Sequence, residues 1–131
     1  MDKKLRECNS TIIFKEVASK FGFLYEKETN LIYERVVYCN GDPNIEEEDC
    51  NKITLWYVEE DKDYYLRYLI NGKSQRLYNT PKYKNSDECY IVSDYTVDKL
   101  CKTIAKCLKK IKVNNMNIKL HKISEDFTND I

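Results

Sequence analysis

The sequence predicts an α+β fold, with two helices packed on one face of a mostly antiparallel sheet of five to seven strands. Three observations carry that expectation. Two stretches place apolar residues at helical spacing, and the segments between them are rich in aromatic and β-branched residues. Asn71-Gly72, flanked by such segments, is a strong short hairpin signal. The order helix, strands, helix, strand then favours helices segregated to one side of a sheet. At 131 residues, 42% of them hydrophobic and eleven of them tyrosine, the chain is expected to form a single domain over 1–131. No internal repeat or Pro/Ser-rich linker divides it.

The first helix is expected at about 11–21. Asn9 or Ser10 caps it, Ile13, Phe14, Val17, Ala18 and Phe21 form its apolar stripe, and Gly22 ends it. Strands at about 23–28 and 31–39 follow, turning at Thr29-Asn30. Residues 40–50 contain Asn, Gly and Pro and read as a loop. Strands at about 52–59, 63–70 and 73–78 form two consecutive hairpins. A polar stretch with Pro81 precedes a short strand at 89–92. Ser93 or Asp94 caps a second helix at about 95–112, and a last strand is expected near 117–123.

Turn geometry fixes an expected register for the central hairpins. A two-residue turn at Asn71-Gly72 pairs Ile70 with Lys73, and therefore Arg67 with Arg76 and Tyr65 with Tyr78. A two-residue turn at Asp61-Lys62, or a four-residue loop in the same register, places Trp56 opposite Arg67 and Val58 opposite Tyr65. One face then carries Ile53, Leu55, Tyr57, Leu66, Tyr68, Ile70 and Leu77 and belongs to the core. The other carries Trp56, Tyr65, Arg67, Arg76 and Tyr78. Two of the four arginines fall in this row, in a chain with eighteen lysines. Trp, Tyr and Arg dominate the energetics of protein interfaces, so these five residues are the candidate partner-binding set.

The formal net charge of zero hides a segregation. Residues 1–62 hold 9 basic and 14 acidic side chains, a balance of −5, and residues 63–131 hold 13 and 8, a balance of +5. Glu46, Glu47, Glu48 and Asp49 form an acidic surface in the predicted loop. On the second helix Val97, Leu100, Cys101, Ile104, Leu108 and Ile111 recur at core spacing. Lys99, Lys102, Lys106, Lys109 and Lys110 take its other faces and are candidate anion-binding residues. Opposite patches on one molecule also allow self-association.

No P-loop, G-x-G-x-x-G, G-x-S-x-G or H-E-x-x-H occurs, and only three glycines are present, so a phosphate-cradling loop is not expected. The acidic loop lacks the spacing of a calcium-binding hand. The six cysteines show no close zinc knuckle. No metal or cofactor is expected, and no catalytic residue is assigned. The lone His121 would need a cysteine beside it to make a dyad, and nothing in the sequence selects one.

Met1–Glu7 has no apolar stretch behind its charges, and no run reaches the roughly 18 apolar residues of a membrane span. A cytoplasmic protein, not bound to membrane, is therefore expected. The leading functional expectation is a non-enzymatic intracellular protein-binding module using the Trp/Tyr/Arg face. Small size, a Lys-, Asn- and Ile-rich composition and many tyrosines suit a phage- or mobile-element-encoded inhibitor of a host defence protein. The second expectation is a nucleic-acid-binding module that uses the lysine-rich second helix.

Overall fold

The computed structural model describes residues 3–28, 33–39, 51–77, 80–82 and 89–129, with residues 28, 33 and 115–129 as backbone alone. A short 3-10 turn at Leu5–Glu7 leads to helix α1, Ser10–Phe21. Strands β1 (Leu24–Glu28), β2 (Tyr33–Cys39), β3 (Lys52–Val58), β4 (Asp63–Ile70), β5 (Lys73–Ser74) and β6 (Tyr90–Ile91) follow, and helix α2, Val97–Asn129, closes the order. The architecture is α+β: two helices and a six-stranded sheet whose strand pairs are all antiparallel. The strands run β1-β2-β3-β4-β5, and β6 joins β4 beside β5.

Helix α1 starts where the Asn9 side chain accepts the Ile12 N–H at 3.2 Å. It ends at Gly22, whose φ of 72° is left-handed and whose N–H donates to the Ala18 carbonyl at 2.9 Å. Its apolar stripe, Ile13, Phe14 and Val17, is buried. Those residues join Val36, Ile53, Leu55, Leu66, Leu100, Ile104 and Ile111 in one core between the helices and the sheet. The N-terminal segment is stitched across this layer. Leu5 N–H donates to the Tyr95 carbonyl at 2.8 Å and Arg6 N–H to the Ser93 carbonyl at 3.1 Å, while the Arg6 guanidinium pairs with Asp94.

Among the described residues one charge lies inside. Glu34 on β2 is 7% exposed, and its carboxylate accepts from Ser10 Oγ, from Thr11 Oγ1 at 2.7 Å and from the Tyr25 hydroxyl at 2.6 Å. Burial alone pushes this carboxyl up. The three hydroxyl donors, with Lys27 nearby, outweigh burial and hold it below its ordinary value. Ser10 and Thr11 thus tie the first turn of α1 to the sheet.

Several expectations are corrected. The β3–β4 turn spans four residues, Glu59–Lys62, with Val58 opposite Asp63. Lys62 adopts a left-handed φ of 55° and its N–H closes on the Val58 carbonyl at 2.8 Å. Trp56 therefore faces Tyr65, not Arg67, and Arg67 faces Thr54. The slip is by two residues, so every side chain keeps its face.

The Asn71-Gly72 turn is as expected, with both residues at positive φ and Ile70 opposite Lys73. Strand β5 nevertheless ends at Ser74. After Gln75 N–H reaches the Tyr68 carbonyl at 2.8 Å, β6 takes the edge of β4 at Tyr65 and Leu66. The expected Arg67–Arg76 pair does not form, which spares the sheet two like charges directly opposite each other.

The expected strand at 117–123 is helical, because α2 continues to Asn129. No glycine or proline occurs from Val97 onward, so nothing in that stretch stops the helix. Among the described residues no helix is long and apolar enough to cross a membrane.

Candidate binding surface

Strand alternation sends half of each strand away from the helices. On that outer face the register lines up Glu26, Arg35, Trp56 and Tyr65 across four neighbouring strands. Arg35 directs Nε and Nη2 to one oxygen of Glu26, at 2.6 and 2.5 Å. The Trp56 and Tyr65 rings stack at a centroid distance of 5.4 Å and an angle of 24°. The Tyr65 hydroxyl donates to Asp61 at 2.9 Å, which fixes the ring from its far end.

Two hollows flank the indole. Arg35, Thr54, Trp56 and Val58 line one of about 290 Å³, and Trp56, Val58, Asp61 and Tyr65 line one of about 120 Å³. The face is not uniformly open. Tyr65 is 3% exposed and Leu69 5%, while Arg35, Trp56, Val58 and Arg67 are partly buried and Leu24 is 49% exposed. Val37 at 4% and Thr54 at 8% are covered as well, so the accessible portion includes Leu24 and parts of Arg35, Trp56, Val58 and Arg67.

The structure brings together three of the five expected partner-binding residues: Trp56, Tyr65 and Arg67 share the outer face. Arg76 does not belong with them. Beyond β5 the chain departs from the β4 ladder, and Arg76 lines a groove with inward-facing Tyr68 and residues of α2. Tyr78 lies outside the described residues, as do Glu46, Glu47, Glu48 and Asp49 of the expected acidic surface. Arg35 and Glu26 were not expected in this row. A two-residue turn at Thr29-Asn30 would set Glu26 opposite Tyr33, whereas the observed register sets Glu28 opposite Tyr33 and so brings Glu26 to Arg35; no turn signal reports how β2 meets β3 across residues 40–50.

The groove on the helix side has a volume of about 230 Å³. Arg76 and Leu77 line it with Lys99, Thr103, Lys106, Cys107 and Lys110 of α2, along with Tyr68 and Tyr95. Of the expected anion-binding lysines, Lys99, Lys106 and Lys110 meet there. Lys102 instead pairs with Asp98 at 2.9 Å, and Lys109 is exposed outside the groove lining. The Lys99 ammonium sits 4.3 Å above the Tyr95 ring centroid.

The five described cysteines form no disulfide, and burial pushes the Cys107 thiol up to about 11, so it stays protonated at neutral pH. Among the described residues no group of His, Cys, Asp and Glu is placed to hold a metal ion. His121 falls in the stretch described as backbone alone, and Cys50 lies outside the described residues.

Fold and surface together define a small α+β domain with an aromatic sheet face and a cationic groove. No protein-family model, curated protein or solved structure matches the chain.

Proposed function

We propose that the protein is a non-enzymatic binding module whose outer sheet face docks a protein partner. The observation that carries this reading is the Trp56–Tyr65 stack, set between two hollows and bordered by charges of both signs. A rigid, partly buried indole with an adjacent hollow offers a seat for an apolar partner side chain, the arrangement typical of interface hot spots. Glu26 and Asp61 stand beside Arg35 and Tyr65, so a chain of phosphates laid on this face would meet carboxylates as well as guanidinium groups. The alternation of sign suits the mixed surface of a protein. Occupying a partner's surface is sufficient for inhibition, so the inhibitor role needs nothing beyond this face.

A photo-crosslinking amino acid placed at Val58 or Leu24, and at exposed Lys15 on α1 as control, tests the reading in the native host cell. Crosslinks to one protein from positions 58 and 24, absent from position 15, are expected. Trp56→Ala should weaken capture of that protein about 30-fold, equivalent to about 2 kcal/mol at a hot spot, without unfolding the chain. Equal crosslinking from α1, or capture indifferent to Trp56→Ala in the folded variant, would overturn it.

A further inference from the structure

We propose that the groove between α2 and the segment after β5 binds the phosphodiester backbone of a single-stranded nucleic acid, independently of the outer face. Its walls carry four cations, Arg76, Lys99, Lys106 and Lys110, and no carboxylate. Among the described residues Arg76, Lys106 and Lys110 have no acidic partner. Lys99, Thr103, Lys106 and Lys110 fall at spacings of four, three and four residues, which keeps them on one side of the helix. At 1.5 Å per residue the cations from Lys99 to Lys110 span about 16 Å, with steps of about 10 and 6 Å. A single small anion cannot touch such a row, whereas a linear polyanion can.

Among the other lining groups the Thr103 hydroxyl is engaged, donating to the Lys99 carbonyl at 2.8 Å, which leaves Tyr68 as the further donor. Tyr68, 2% exposed, has an enclosed hydroxyl with no hydrogen-bond partner among the described residues. Burial pushes that hydroxyl up, so it remains a proton donor. Arg, Lys and Tyr side chains are common donors to phosphate oxygens. Three of the four cations are lysines, which act as point charges and suit successive phosphates better than the paired oxygens of a carboxylate.

The test is fluorescence anisotropy of the full chain with labelled oligothymidylate over a salt series, with poly-glutamate of matched charge as competitor. Three to four neutralised phosphates on a single strand predict a slope of log K against log salt of about −2 to −3. Lys106→Gln and Lys110→Gln should each lower affinity and reduce the slope by about 0.7. Lys109→Gln, outside the groove, should shift the slope less than either groove variant, and circular dichroism should show all three variants folded. No binding at low salt, equal effects of Lys109→Gln and Lys106→Gln, or equal competition by poly-glutamate would overturn the proposal. The last result would assign the groove to an acidic protein segment.

Discussion

On the outer sheet face Arg35 lies 2.6 Å from Glu26, whereas Arg76, Lys106 and Lys110 share a groove on the helix side with no carboxylate on its walls. The same residue types are therefore used in opposite ways. The Arg35 charge is matched before any partner arrives, so recognition around it falls to the Trp56 ring and the hollows beside it. The groove cations repel one another until an anion or added salt intervenes. Binding at the first surface should respond weakly to ionic strength, and binding at the second steeply.

Glu34 is the extreme case of a matched charge, and disrupting it should give the largest effect. Glu34→Ala leaves Ser10, Thr11 and Tyr25 without their common acceptor and should cost about 3 kcal/mol in urea unfolding. The pH response has a definite sign. Because the folded-state value lies below the ordinary 4.5, the stabilisation is fully present above that pH. It is lost as pH falls through the folded value. The gap between the native chain and Glu34→Gln should accordingly close on acidification. A gap that widens would show that the carboxylate is not held ionised by its donors.

The Glu26–Arg35 pair comes next in size. Both side chains are about one-third exposed, so a double-mutant cycle to alanine should give a coupling of about 1 kcal/mol. A coupling near zero would remove the matched charge on which the comparison rests. The smallest effect belongs to the groove. Lys106 and Lys110 are four residues apart on α2, and like charges at that spacing destabilise a helix by about 0.2–0.5 kcal/mol. Lys106→Gln should raise the melting temperature slightly at low salt, and the gain should vanish near 0.5 M salt, where the Debye length is about 4 Å. A loss of stability at low salt would mean that the repulsion is already relieved within the chain.

Local chemistry explains which parts of this were legible in the sequence. The cap at Asn9, the stop at Gly22 and the Asn71-Gly72 turn each depend on a few adjacent residues, and all three form as read. Alternation along β3 and β4 also placed Trp56, Tyr65 and Arg67 on one face even though the register between those strands differs by two. What could not be read depends on distant segments. The β2–β3 pairing that brings Arg35 to Trp56 has no turn signature. The arrival of β6 at β4, which leaves Arg76 to the groove, depends on chain far beyond the hairpin. Helix α2 passes through the expected last strand because Ile118 and Leu120 fit a period of two while no residue interrupts a period of 3.6.

The central claim is that the two surfaces are chemically separate, and the lone tryptophan makes it directly measurable. Oligothymidylate is titrated into ¹⁵N-labelled protein at low salt while the Trp56 indole N–H and the backbone amides are followed by NMR. The account predicts shifts at Leu77, Lys99, Thr103, Lys106 and Lys110 with the indole signal unmoved. Displacement of the indole signal with the groove amides still would contradict it, because the aromatic face would then be the nucleic-acid site.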